Sequence, residues 1–374
     1  MNENFIAGKP VRGDNLIGRE QEIQYISNYL KNGDSVVLMA PRRFGKTSII
    51  LEILDRLKEE KYFSGYIDIF TVATKYNLAE EITRVVLANK KLDSFINNIK
   101  GKFADLLKNI EFKHVIEDFE FVLDYRNEII DEHKLLKNSI EFVDLFAMKH
   151  DNKIVLAFDE FADIYKFDGK EITKLLRSII QLQENSSYIF SGSYESLMHS
   201  LFIRKSSPFY RFAKIIELGF IDNKSFNSYL TKQFKLLNIK IQKEAIAKIL
   251  DVTKGHPFYT QLLAQVISFA NPAKVNGKDI PAYLEESLWV EKSYFENIWS
   301  ELSKSKELLE VLLCLAEGQS PYKKLMSKSI NIARAIINLK AKGIIGKNKS
   351  GIIFYDVFLL YWLQKYILKT NIKI

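Results

Sequence analysis

The sequence predicts an α/β protein with a parallel sheet covered on both faces, then an all-helical region, then a small unit of helices closed by a hairpin. Three observations predict this. Apolar runs of strand length alternate with amphipathic helical stretches as far as Asp222; only helical periodicity follows; and the end of the chain carries a hairpin signal.

Residues 1–15 read as a leader, and residues 19–31 as an amphipathic helix with Ile23, Ile26 and Leu30 on one stripe. Val36–Met39 (VVLM) is the first strand, ended by a loop containing Pro41 and Gly45; helical spacing resumes at Ile49, Ile50, Ile53, Leu54 and Leu57. Residues 65–70 form a second strand. From about Leu78 to His150 strong breakers are absent, so about 91–150 is expected to be a helical insertion. Residues 154–158 and 188–190 are apolar strands flanking an amphipathic helix at 172–183, and 214–220 is the last strand. Strands alternating with helices require a parallel sheet with both faces buried. Residues 223–302 are helical, interrupted at 255–257 and around 271–281. Residues 304–374 begin with helices and finish with strands at 343–345 and 352–355 around a turn.

The composition is that of an ordinary globular chain. Of 374 residues 47% are hydrophobic and 27% charged, with Gly 16 and Pro 7, which excludes collagenous, low-complexity and largely disordered chains. No uncharged apolar run approaches the length of about 18 residues that a membrane span needs. The first residues carry charges and no apolar stretch, unlike a secretory signal, and a single cysteine, Cys314, excludes a disulfide framework. A cytoplasmic location is expected. His114, His133, His150, His199 and His256 show no metal-ligand spacing.

The net charge of +8 is local. Between Tyr322 and Ser350 stand Lys323, Lys324, Lys328, Arg334, Lys340, Lys342, Lys347 and Lys349, with no acidic residue, and the remainder of the chain balances to zero. Such a window attracts phosphate backbones, acidic proteins or anionic lipid heads, or is simply a solvated face.

The strongest motif is Ala40-Pro41-Arg42-Arg43-Phe44-Gly45-Lys46-Thr47, followed by Ser48. It follows a strand and opens a helix, the context a phosphate-binding loop requires. Backbone N–H groups and the helix N-terminus form an anion cradle there. Lys46 is placed to reach β/γ-phosphates, Thr47 to ligate Mg²⁺, and Gly45 to turn the chain close to the phosphates. Ala40 stands where the pattern usually begins with Gly, which is tolerable at negative φ. Arg42 and Arg43 add positive charge near a triphosphate, or pair with acidic neighbours.

Residues 154–158 run into Asp159-Glu160. Parallel strands present ligands at their C-terminal edge. Asp159 fits a Mg²⁺ carboxylate, and Glu160 the carboxylate that orients or deprotonates an attacking water. The separation of 113 residues from Lys46 to Asp159 suits a topology with an additional strand between them. Ser191 or Ser193, closing the next strand, could sense the γ-phosphate. Arg211 is a candidate arginine finger, in cis or in trans.

With these residues in place the chain resembles the archaeal-type branch of the STAND P-loop ATPases, relatives of AAA+ ATPases, over nearly its whole length. The resemblance is carried by Leu16-Ile17-Gly18-Arg19-Glu20 with Glu22, the Pro-Arg-Arg-Phe-Gly-Lys-Thr loop, Phe158-Asp159-Glu160-Phe161, Ser207-Pro208-Phe209-Tyr210-Arg211, Gly255-His256-Pro257, 339–345 and Phe354-Tyr355-Asp356. Ala162 departs from it, since a Gln is expected there. The resemblance implies a P-loop NTPase core of the AAA+/STAND kind at 1–222, a helical lid at 223–302 and a C-terminal winged-helix domain at 303–374. It also implies ATP rather than GTP, Ile17, Gly18 and Arg19 near the adenine, and His256 and Pro257 facing the nucleotide.

The first functional expectation is a Mg²⁺-dependent ATP-binding and hydrolysing switch whose nucleotide state moves the lid and winged helix. The second, of a different class, is an initiator- or loader-like DNA-binding ATPase. In that reading Asn331, Arg334, Asn338 and Lys342 form one stripe that enters a groove, and Lys347 and Lys349 act as a wing on phosphates. A nucleotide-locked scaffold is a third. A protein partner or nucleotide-dependent self-association fits the switch; a membrane fits none of them.

Overall fold

A computed structural model describes residues 5–90, 111–113, 122–124, 131–193, 196–326, 328–348 and 351–370. In the first half the chain runs α1 (Glu20–Lys31), β1 (Val36–Met39), α2 (Lys46–Glu59), β2 (Phe63–Asp68) and α3 (Lys75–Leu87). After two three-residue strands, β3 (Glu111–Lys113) and β4 (Val122–Asp124), come α4 (Glu132–Lys149), β5 (Ile154–Asp159), α5 (Lys170–Ile180), β6 (Ser186–Gly192), α6 (Ser196–Phe202) and β7 (Lys214–Glu217).

Five strands make one parallel sheet in the order β2-β5-β6-β1-β7. One strand, β6, separates the strand leading to the phosphate loop from the strand ending in Asp159, the additional-strand arrangement that the motif spacing suggests. Alternation along the strands divides the side chains between two layers. Val36 and Leu38 face α1 and α2, with Val155, Ala157 and Ile189. Val37 and Met39 face the layer that holds α3, α4 and α5, with Phe158 and Phe190. Burial on both faces is why these strands read as continuous apolar runs.

The second half is helical: α7 (Asn223–Leu236), α8 (Lys243–Thr253), α9 (Pro257–Ala270), α10 (Ile280–Val290) and α11 (Lys292–Leu302). Then follow α12 (Lys306–Ala316), α13 (Pro321–Lys324), α14 (Ile332–Ala341), a hairpin of β10 (Ile345–Asn348) and β11 (Gly351–Phe354), and α15 (Val357–Trp362). One apolar cluster runs through this whole half, from Phe226 and Tyr259 through Leu288 and Phe295 to Leu339, Phe358 and Trp362. Among the described residues no helix is long and apolar enough to cross a membrane.

Four expectations need correction. The second strand lies two residues earlier than its apolar run suggests, at Phe63–Asp68, because the Asp68 side chain accepts the Phe70 N–H and turns 69–71 into a 3₁₀ helix. The stretch 223–302 is not purely helical: β8 (Lys240–Ile241) and β9 (Lys274–Val275) pair in parallel, too short to leave a period in the sequence. Of the insertion expected at about 91–150, α4 is helical, whereas β3 and β4 form an antiparallel pair; the remainder of 91–130 lies outside the described residues. The segment read as a leader is also part of the fold. Phe5 is buried against Tyr229 and Phe234, Val11 N–H donates to Ser48 Oγ (3.0 Å), and Gly13 N–H donates to Glu52 (2.9 Å).

Candidate active site

The loop from Ala40 to Thr47 joins the C-terminal end of β1 to the N-terminus of α2. Gly45 makes the turn into the helix at φ 85°, and a side chain there would meet open space. Arg43 also has positive φ (67°), whereas Ala40 does not, so the alanine is accommodated as its position requires. Left-handed residues beside a helix start turn successive N–H groups toward one point, which makes an anion-binding concavity.

This loop floors a cleft of about 600 Å³, within the range of small-molecule sites. Arg42 to Ser48 line it, with Asp68, Glu160, Ala162 and Asp163 at the sheet edge. Its apolar end is made by Ile17, Ile221, Phe226, Pro257 and Phe258, with Arg19 and Gln261 beside them. Gly18 at φ 61° allows the Ile17–Arg19 turn to lie against the helical half, since a Cβ there would come within 2.7 Å of Ile221. Arg19 is buried, bonded to Glu22 (2.8 Å) and to the Gly219 carbonyl (2.5 Å), and burial lowers its pKa.

At the sheet edge three residues far apart in sequence converge. Thr47 Oγ1 donates to Asp159 Oδ2 at 2.7 Å, and Tyr66 OH donates to the same oxygen at 3.0 Å. Oδ1 accepts the Glu160 N–H at 3.0 Å. Burial, then the charge and hydrogen bond of Asp159, push the Tyr66 phenol upward, so it stays a donor. Glu160 lines the cleft at φ 45°, a left-handed conformation rare for a residue with a side chain. Lys46 Nζ is buried, with the Ala40 carbonyl at 3.2 Å and Ser193 Oγ at 3.3 Å. Ser191 Oγ is fully buried and has no hydrogen-bond partner among the described residues. By strand alternation it lies on the sheet face of Ile189 and Ala157, the face of Asp159.

A hydroxyl and a carboxylate at 2.7 Å, with an orphaned hydroxyl on the same face, fit a hard cation that takes oxygen ligands. The chain's own groups therefore suit Mg²⁺ beside a phosphate cradle.

Several expected site residues also make contacts outside the cleft. Ser48 accepts the Val11 N–H and holds the N-terminal arm. Phe44 lines both the cleft and a second cavity behind the loop, with its ring buried against His256, Phe220 and Tyr355. Pro41 lies against Gly343 of the C-terminal region. His256 is buried and caps α9, its Nδ1 accepting the Tyr259 N–H at 3.3 Å. Burial, then the charge of Arg43, lowers its pKa to about 3, so the imidazole is neutral. His256 lines that second cavity, of about 510 Å³ and walled by α11 and α14, while its neighbour Pro257 lines the cleft. Arg211 is exposed at φ 55°, its guanidinium 5.6 Å from the Tyr210 ring, and does not line the cleft of its own chain. The buried anchor of that segment is Phe209, two residues earlier.

The groove-reading stripe is divided. Asn331 caps α14 by accepting the Arg334 N–H (3.0 Å), and Arg334 is exposed. Asn338 and Lys342 line the second cavity, where Lys342 pairs with Glu301 of α11. Lys324 pairs with Glu317 and Lys328 with Glu310, so acids of α11 and α12 neutralise part of the basic window. Lys347 is exposed on β10; Lys349 lies outside the described residues.

Sequence reasoning missed Tyr66, Asp68 and Gln261. Only the pairing of β2 with β5, which sets Asp68 opposite Asp159, could have pointed to the first two.

A family model described as an ATPase domain predominantly from Archaea matches residues 16–263. A Walker-type ATPase of Pyrococcus abyssi superposes with a TM-score of 0.69 over 96% of this chain and 99% of its own, at 18% identity. The ORC2 protein of Aeropyrum pernix, solved in ADPNP-ADP complexes, does so with a TM-score of 0.52 over 99% and 98%, at 11% identity. At such identities the likeness is one of fold. No curated protein matches the chain.

Proposed function

We propose, from the premise that this chain belongs to the family of ATPase domains found predominantly in Archaea, that it is a Mg²⁺-dependent ATP switch. It is a P-loop ATPase; the proposal is that nucleotide state moves the helical lid (223–302) together with a C-terminal winged helix (303–374). The observation that carries the catalytic part is the 2.7 Å contact of Thr47 with Asp159, a metal-ready pair at the mouth of the phosphate cradle. Mg²⁺ held by these two residues would neutralise charge on the β- and γ-phosphate oxygens.

The chain's own residues supply the remaining chemistry. Backbone N–H groups of 43–47 bind phosphate oxygens, and Lys46 turns its ammonium from the Ala40 carbonyl toward the charge that develops in the transition state. Glu160 orients a water in line with the γ-phosphorus and takes its proton as the new P–O bond forms and the bond from the γ-phosphorus to the bridging oxygen breaks, so that ADP leaves and phosphate is released. Ser193, in contact with Lys46, registers whether the γ-phosphate is present. Coupling to the lid is supported by Pro257 and Phe258, which open α9 and line the same cleft. Coupling to the C-terminal region is supported by Tyr355, packed on Phe44 of the loop with ring centroids 5.7 Å apart.

The test is Mg²⁺-ATP turnover with and without duplex DNA, beside Lys46→Ala. Loss of turnover by about a hundredfold or more in that variant is expected. Unchanged turnover in a folded Lys46→Ala protein sinks the reading. DNA stimulation that disappears at high salt would replace the switch by the initiator-like ATPase.

A further inference from the structure

A phosphate loop is expected to offer its cations to phosphate, yet Arg43 offers its guanidinium to the lid. Its Nη1 donates to Glu291, at the junction of α10 and α11. Its Cζ lies 4.2 Å from the ring centroid of Phe258 and 4.2 Å from that of Tyr294. A cation between two aromatic faces and closed by a carboxylate is a specific, partly desolvated arrangement, which Arg fills and Lys does not. The contacts continue outward. Tyr294 OH donates to Asp356 at 3.3 Å, and Tyr259 OH donates to the same carboxylate at 2.6 Å. Asp356 in turn caps α15 by accepting the Leu359 N–H at 2.9 Å.

We propose that Arg43 is a positioning residue that ties the backbone of the phosphate loop to the lid and the C-terminal helices, rather than a phosphate ligand. The inference rests on the switch reading and names its mechanical link. Arg43 has a left-handed backbone in the same loop whose N–H groups the switch reading assigns to phosphate. Any rearrangement of that turn on nucleotide binding swings the guanidinium. Glu291, Phe258 and Tyr294 must then follow or lose their contacts. Phe44, the next residue, packs on Tyr355, so adjacent loop residues hold the lid and the C-terminal region at once. Glu291 and Tyr294 do not line the cleft, so changing them alters the link without touching the nucleotide.

The experiment is hydrogen exchange on the full chain with ADP and with a non-hydrolysable Mg²⁺-ATP analogue, for the wild type, Glu291→Gln and Tyr294→Leu. In the wild type, protection of residues 291–302 and 351–363 should differ by about tenfold between the two nucleotides. Either variant should shrink that difference to about twofold or less, while its affinity for both nucleotides stays within about threefold of wild type. A link that is only structural would lower protection equally with both nucleotides and preserve the difference; that result overturns the proposal and leaves the switch standing. Variants that lose the difference because nucleotide no longer binds overturn it as well. A wild type whose protection is the same with both nucleotides overturns the switch reading itself.

Discussion

His256 should make the helical half of the molecule sensitive to acid, by an amount the structure allows us to work out. Burial, and then the nearby charges of Arg43 and Arg19, lower its pKa from an ordinary 6.5 to about 3. Well above pH 6.5 the imidazole is neutral whether the chain is folded or not, and the group contributes no pH dependence. As pH falls below that value the unfolded chain binds a proton that the folded chain refuses. Stability is therefore lost progressively from about pH 6.5 down toward pH 3, with a limiting slope of about 1.4 kcal/mol per pH unit. Between about pH 6.5 and 4.5 this one group should cost about 2 kcal/mol. Asn is the control residue, since it keeps a side-chain acceptor for the cap of α9 but has no titration. All three tryptophans, Trp289, Trp299 and Trp362, lie in the same half, so urea unfolding followed by tryptophan fluorescence reports on it. Stability of the wild type should fall more steeply with acid than that of His256→Asn, by close to one proton. Parallel curves, differing by less than about 0.3 kcal/mol across the range, would refute the reasoning.

Tyr66→Phe removes one of the two hydroxyls bonded to Asp159 Oδ2. A hydrogen bond to a charged group of about 1.5 kcal/mol predicts that the Mg²⁺ concentration needed to tighten nucleotide binding rises about tenfold, while affinity without Mg²⁺ is unchanged. Titration of Mg²⁺ against a fluorescent ADP analogue reads this directly, and an unaltered Mg²⁺ requirement would remove Tyr66 from the site. Gly255→Ala places a methyl group 2.2 Å from the Ile221 carbonyl oxygen at a backbone φ of 72°. Left-handed strain and overpacking together predict a loss of about 2–4 kcal/mol in the same urea assay, and a loss below about 0.5 kcal/mol would contradict the close approach.

What could be read in advance follows from how local each signal is. The phosphate loop and the Asp159-Glu160 strand end are contiguous motifs whose context, strand before helix or apolar run before acids, lies within a few residues. The alternation of strands and helices gave the sheet for the same reason. Tyr66 was illegible because its partner is in another strand, and the register that joins them is a tertiary fact. For Arg43 the motif announces a charge but not its direction, which is set by Glu291, 248 residues away. The apolar residues after Asp68 extended the apparent strand, since a single side-chain bond to the Phe70 N–H leaves no trace in the hydrophobic pattern. The stripe on α14 was correctly helical, yet its far end is occupied by Glu301, an acid outside the basic window.

The single apolar cluster that runs from Phe226 to Trp362 decides where the molecule can bend. To separate the lid from the C-terminal helices would open that core to water, at about 25 cal/mol for every Å² of apolar surface exposed. The boundary with the sheet lies between separate apolar clusters. It includes the N-terminal arm, which reaches from Ser48 to Tyr229 and Phe234, the Ile17–Arg19 turn against Ile221, aromatic edges around Phe44, the Arg43 grip, the touch of Gly343 on Pro41, and the strand-to-helix passage that ends where Ile221 N–H donates to the Gly255 carbonyl. In the proposed switch, a hinge placed there would swing the whole helical half as one lever. Under the proposed switch, a displacement of an ångström at the phosphate loop would then be magnified at the far end of the lever, and the surface most altered by nucleotide would be the one farthest from it.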